Sequence, residues 1–355
     1  MHQLAADGIR VGLDTLLRVL DDGEPASRKP FAEPDILRPN LDSRRFGWTH
    51  YGVMIPDLTE PHRFLSVMSL IGATGSVAFD TDHALPAAPR RTASVVAGTA
   101  ASHPGHFGTY EIGRDFLANP DGSSIRFGED LQLLGGYPGY RLTGTLGPVT
   151  VDLNLNCSDL VTWFFHNPVN KHLSLLTDYS GTLAVGSDAM NVEGMCSFEY
   201  GACPSPYLLS RTALPQMFKA PLDHFVYHIV NLDADNQILL THLAIGGKPF
   251  RTTAYHRTRG AESTSFPDVR FAVLAHRPEP EPTPYGRPMP LPAATRFEVR
   301  DDRGQVWLDL RTDMDTPFTY GLGSGFVSGF AHTATWRGEQ ISGRGYVEYI
   351  DRRNG

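Results

Sequence analysis

"NVEGMCSFEYGA" (residues 191–202) and "QISGRGYVEYID" (residues 340–351) decide how this chain folds. Laid over one another, they match Gly194 with Gly343, Glu199 with Glu348 and Tyr200 with Tyr349. Each closes a series of short runs with the two-residue period of a strand. The openings of the two series match as well. "THYGVMIPDLTEPHRFLSVMSLIG" (49–72) resembles "FVYHIVNLDADNQILLTHLAIG" (225–246), with Asp57 on Asp233, Gly72 on Gly246 and a hairpin loop two residues shorter. Matches in the same order at the start and end of each series read as two copies of one β unit, about 46–206 and 221–351.

The runs between these anchors fit that reading. "TASVVAGTA", "YRLTGTLGPVTVDLNLNC" and "HLSLLTDYSGTLAV" in the first series, and "VRFAVLAH", "TRFEVRD" and "QVWLDLRT" in the second, are β-branched or aromatic-rich. Tight-turn signals such as "LGPV" and "NPDGSS" separate strands. The 35 glycines and 27 prolines imply many turns and few long helices. "RPEPEPTPYGRPMPLP" (277–292) favours extended, unpaired backbone and reads as a long loop within the second copy. At the start, Ile9, Leu13, Leu16, Leu17 and Leu20 fall at helical spacing, so one amphipathic helix is expected over 5–20. The chain divides as a helix and connector (1–45), a first barrel (46–206), a linker (207–220) and a second barrel (221–355). A length of 355 residues suits two cores better than one.

Composition excludes several classes. The formal charge is −8 and no Lys/Arg stripe stands out, so no nucleic-acid partner is expected. The three cysteines (Cys157, Cys196 and Cys203) show neither a CxxC pair nor a Cys/His zinc spacing, so no metal site is expected. An odd count argues against a disulfide framework. There is no GxGxxG after a strand, no GxxxxGK[ST] and no GxSxG elbow, so no cofactor is expected. The start lacks a basic-then-apolar leader pattern and no apolar run reaches membrane length. A cytoplasmic protein is therefore expected, with contact to a membrane surface left open.

The Trp next to His/Tyr in "GWTHYGV", the hairpin into the apolar strand "FLSVMSLIG" and the closing acidic–aromatic–Gly strand resemble the AttH-like and carotenoid 1,2-hydratase-like proteins, a group with two tandem lipocalin-like barrels. The resemblance covers the layout of residues 46–351. The fold it implies is all-β: two tandem lipocalin-like antiparallel β-barrels with one N-terminal helix. The closing strand of the family's first barrel often reads W-x-D-H-E-W-G. In "CSFEYG", Glu199, Tyr200 and Gly201 match E-W-G, while Ser197 and Phe198 replace the Asp-His pair, so only Glu199 transfers as an acid. The resemblance implies cofactor-free chemistry on a large apolar substrate, most simply a hydratase/dehydratase or isomerase acting on a terpenoid-like or polyketide-like molecule. The alternative is a non-catalytic carrier of a lipophilic small molecule.

Hydration of an alkene needs an acid and a pocket that tolerates a cation. The candidate catalytic residues are Glu199, His50, Tyr51 and Asp178, and the candidate substrate-binding residues are Trp48, Met54, Trp163, Phe165, Cys196 and Phe198. Two readings stand for Glu199. As an acid it needs a buried carboxyl. As an architectural residue it is explained by recurrence in both copies, which the repeat favours. His50 shares a strand face with Trp48 and Met54, an apolar set on which ionisable groups are uncommon. His172, Ser174 and Asp178 share one parity of "HLSLLTDYS", and hydrophobicity places Leu173, Leu175 and Tyr179 inward instead. His228 and His242 lie on paired strands, where they form a structural pair or a proton relay. Cys196 points opposite to Glu199 by parity and reads as a small buried thiol. The ligand pocket is expected inside the first barrel or at the junction of the two.

Overall fold

The computed structural model describes residues 21–353; the helix expected over 5–20 lies outside the described residues. The first sheet holds β1 (Trp48–Ile55), β2 (Leu65–Ile71), β3 (Thr92–Gly98), β4 (His106–Glu111), β5 (Phe116–Ala118), β6 (Ser124–Phe127), β7 (Leu131–Gly136), β8 (Gly139–Leu146), β9 (Val149–His166), β10 (Lys171–Val185) and β11 (Asp188–Cys203). The second holds β12 (Leu222–Asn231), β13 (Asn236–Ile245), β14 (Lys248–Thr258), β15 (Thr264–Phe266), β16 (Val269–His276), β17 (Pro292–Arg300), β18 (Val306–Asp313), β19 (Thr319–Leu322), β20 (Gly325–Trp336) and β21 (Glu339–Asp351). Both are antiparallel and barrel-like. In each, the first strand pairs with the last: β1 with β11, and β12 with β21. That shared closure is the structural form of the sequence repeat.

Alternation does the sorting. β9 reads buried, exposed, buried over its first half, and its buried set joins Tyr51, Tyr140, Phe198 and Tyr200 in the core of the first barrel. Tyr140 stacks on Phe198 at 4.6 Å between centroids. The turn "LGPV" joins β8 to β9 through Gly147, whose φ of +65° suits glycine. The Pro-rich stretch is the connection between β16 and β17. A short helix, α1 (Gly23–Ser27), lies on β9, where Ser27 Oγ accepts from the Trp163 amide at 2.8 Å.

The register corrects one detail of the repeat. The alignment through Asp57 and Asp233 carries Tyr51 onto Tyr227. In the structure Glu199 faces Gly52 and Glu348 faces Tyr227, so Gly52 is the counterpart of Tyr227. A one-residue offset exchanges the two faces of a strand. Tyr51 accordingly points into the first barrel, whereas Tyr227 points out of the second.

The two sheets dock through their outer faces. Met54, Met68 and Phe164 leave the first barrel's core and merge with that of the second. Polar ties cross the same seam: Ser66 with Tyr346 at 2.8 Å, and Thr162 with Ser263 at 2.8 Å. A clasp at one edge joins the segment after β11 to the β2–β3 loop, with Lys219 Nζ 3.1 Å from Asp80 and the Tyr207 hydroxyl donating to Asp80 at 2.8 Å.

Candidate active site at the barrel junction

The closing strands bring two carboxyls to the seam. Glu199 is 2% exposed and Glu348 is 1% exposed. Both lie on the outward face of their own barrel, as alternation requires of the residues beside Phe198 and Val347. The second barrel covers that face on the first, and the first covers it on the second. Tyr227 donates its hydroxyl to Glu199 Oε1 across the seam. Tyr346 donates to Glu348 at 3.2 Å, while Glu348 Oε2 is buried without a hydrogen-bond partner. Burial, and then the charge of Glu199, push the Glu348 pKa well up. Both effects favour the neutral, protonated form of Glu348.

Two histidines stand beside Glu199. His50 on β1 and His172 on β10 both sit opposite Gly201 in the register, with rings 5.8 Å apart. His50 Nδ1 lies 2.9 Å from the carbonyl of Ser69. A carbonyl only accepts, so Nδ1 carries a proton, and in the neutral ring Nε2 is then the acceptor. That Nε2 is 3.7 Å from Glu199 Oε2, and it is buried without a hydrogen-bond partner. His172 Nε2 is likewise buried and unpartnered, and burial pushes the His172 pKa down to about 4. The positive member of the cluster is Arg257, fully buried on β14. It donates to Ser174 at 3.0 Å, to Ser197 at 2.8 Å and to Gln237. Burial lowers its pKa to about 10, and the neighbouring Tyr227 and Glu199 oppose that shift. It therefore stays charged and offsets the Glu199 carboxylate.

Three sequence candidates meet at this junction: Glu199, His50 and Met54. The others do not. Tyr51, Trp163, Cys196 and Phe198 fill the first barrel's core. That interior is occupied by side chains. Cys196 faces away from Glu199, as parity requires, and burial pushes its thiol pKa well up. Trp48 is half-buried at the start of β1. Phe165 packs beside the second core, with the Arg251 guanidinium 5.7 Å from its ring centre. Asp178 is half-buried on the outer face of β10 and ion-paired with Arg259. The pairing expected of His228 and His242 is also corrected: His242 meets His224 at 5.2 Å, and His228 lies between Phe297 and Phe330.

Sequence reasoning missed Tyr227, Arg257, Tyr346 and Glu348 as site residues, and it placed His172 toward solvent. His172 does face away from Leu173 and Leu175. What covers it is protein, including Phe164, whose ring lies 4.9 Å away. The usable signal was the repeat itself: two equivalent glutamates on outward faces have a reason to meet if the copies dock through those faces.

Residues 68–355 match the family described as "Family of unknown function (DUF6670)", and the chain belongs to it. No curated protein matches the sequence. Among solved structures, kievitone hydratase from Nectria haematococca is similar over 91% of this chain and 94% of that chain, at 11% identity and a TM-score of 0.56. The structure of CghA aligns over 87% of this chain and 88% of that chain, at 12% identity and a TM-score of 0.44. The tandem lipocalin-like architecture is thus shared at the level of fold.

Proposed function

We propose that this member of the DUF6670 family is a hydro-lyase-type enzyme whose reaction centre is the barrel junction. One observation carries the reading: four polar atoms there, His50 Nε2, His172 Nε2, Glu348 Oε2 and Arg257 Nε, are buried and lack hydrogen-bond partners. Each such atom costs about 1–3 kcal/mol unless a bound molecule satisfies it. Concentrated between two barrels, they suit a site that takes up water and a substrate.

The chemistry follows from which group holds a proton. The neutral Glu348 acid delivers its proton to one carbon of an alkene. Water held by His50 Nε2, His172 Nε2 and Glu199 adds to the neighbouring carbon, and the proton that it sheds restores Glu348. The sum is addition of one water, and the reverse order is dehydration. The apolar wall of Met54, Met68 and Phe164 suits a terpenoid-like or polyketide-like substrate. The fold shared with kievitone hydratase is consistent with this reading.

The test is incubation of the purified chain with a panel of prenylated and polyketide-derived alkenes and alcohols in ¹⁸O-labelled water. Isotope incorporation that disappears in Glu348→Gln is expected. Saturable ligand binding with no incorporation above that control would replace the enzyme with a carrier.

A further inference from the structure

We propose that His50, His172 and Glu199 form a binding site for one divalent transition-metal ion of the zinc class. Their ligating atoms lie within 4.8 Å of one another, and His50 Nε2 lies 3.7 Å from Glu199 Oε2. With bonds of about 2.0–2.2 Å, ligand atoms of a zinc site stand about 3–4 Å apart.

Three features mark this as a prepared site rather than a chance cluster. The first is the state of the ligand atoms. In the neutral ring, the Nδ1–H bond to Ser69 leaves His50 Nε2 as a lone pair, and it faces a carboxylate oxygen, also an acceptor. Two acceptors held face to face in a buried place call for a cation between them. His172 Nε2, the third atom, is equally without a partner. The second is outer support. The Ser69 carbonyl orients His50, and Tyr227 engages Glu199 Oε1, leaving Oε2 free to act as a single-oxygen ligand. The third is room. Both histidines flank Gly201, where an added Cβ would come within 3.3 Å of the His172 ring and 3.5 Å of His50 Cβ. At Gly52, opposite Glu199, a Cβ would lie 3.1 Å from His50 Nε2 itself.

Two imidazoles and one carboxylate leave a coordination position for water, as in catalytic zinc sites. The ion would then hold the water assigned to these residues above. The binding inference itself stands on the geometry. The ligands are 122 and 27 residues apart, on β1, β10 and β11, so no spacing rule reveals them.

The test uses the full chain, stripped with a chelator and titrated with Zn²⁺ and, separately, Co²⁺. One ion per chain is expected, with visible Co²⁺ ligand-field bands and a raised melting temperature. His172→Asn and Glu199→Gln are each expected to weaken binding by more than about 100-fold, since even outer-shell changes cost 10- to 100-fold. His276→Asn, at an exposed position on β16, should bind as the parent does. Absence of stoichiometric Zn²⁺ and of the Co²⁺ bands in the unmodified chain would overturn the inference without recourse to any variant. So would a folded His172→Asn that binds with parental affinity. Turnover by a chain that binds neither Zn²⁺ nor Co²⁺ stoichiometrically would sink the metal site and leave the hydro-lyase reading standing. Stoichiometric metal without turnover would do the reverse.

Discussion

The two barrels close in the same way and fill their interiors differently. The first core is built on Tyr51, Tyr140, Trp163, Phe198 and Tyr200, whose hydroxyls reach the edge: Tyr51 donates to the Leu37 carbonyl and Tyr200 to that of Arg38. The second sets His224, His228, His242 and His332 among Phe271, Phe297, Phe330 and Tyr349. Both ring nitrogens of His224, His228 and His332 are buried without hydrogen-bond partners. The same strand order therefore accepts either filling, because alternation asks only that the inward residue be large and uncharged. Burial keeps these histidines uncharged, pushing His224 and His228 down to about 3 and His242 and His332 to about 4. Arg353 adds to the effect at His224 and His242 and Arg344 adds to it at His332, while Asp351 opposes it at His224.

Acid is the strongest way to break the symmetry. These histidines titrate near 6.5 when unfolded, so below that pH the unfolded chain takes up protons that the fold refuses. Stability contributed by the second barrel falls as pH drops from about 6.5 toward 4, each histidine contributing on the order of 2 kcal/mol near pH 4.5. Hydrogen exchange followed by mass spectrometry should show β12–β21 opening at a higher pH than β1–β11. Simultaneous opening would show that the two barrels unfold as one unit.

Smaller effects separate the junction from both interiors. Arg257→Ala leaves the Glu199 carboxylate without its buried counter-charge and should cost about 3–5 kcal/mol in urea denaturation. Tyr227→Phe removes the hydroxyl on Glu199 Oε1 and is expected to cost about 1–3 kcal/mol, measured in the same way. Asp178→Asn breaks a surface ion pair with Arg259 and should change stability by less than about 1 kcal/mol and turnover not at all. Loss of turnover in that variant would return the reaction centre to the exposed side of the first barrel.

The duplication also explains an asymmetry that could not be read from the repeat alone. Glu199 and Glu348 occupy equivalent positions, but Gly52 faces the first and Tyr227 the second. Ser197 on one closing strand corresponds to Tyr346 on the other, so Glu348 receives a hydroxyl from its own strand while Glu199 receives one from the other barrel. One carboxyl is left with an unpartnered oxygen and a raised pKa, and the other faces two histidines.

Alternation, turn residues and the matched closing strands were enough to establish from sequence an all-β chain of two copies, and to place Cys196 and Glu199 on opposite faces of one strand. The period of two assigns every side chain to one of two faces, because successive Cβ atoms point to opposite sides of the sheet. It says nothing of what lies beyond each face. His172 and Glu199 look solvated by that rule, and Tyr227 and Arg257 look like surface residues of another barrel. Docking of the two outer faces alone buried them, set Tyr227 against Glu199 and raised the Glu348 pKa, since desolvation depends on the covering surface and not on the strand that bears the residue.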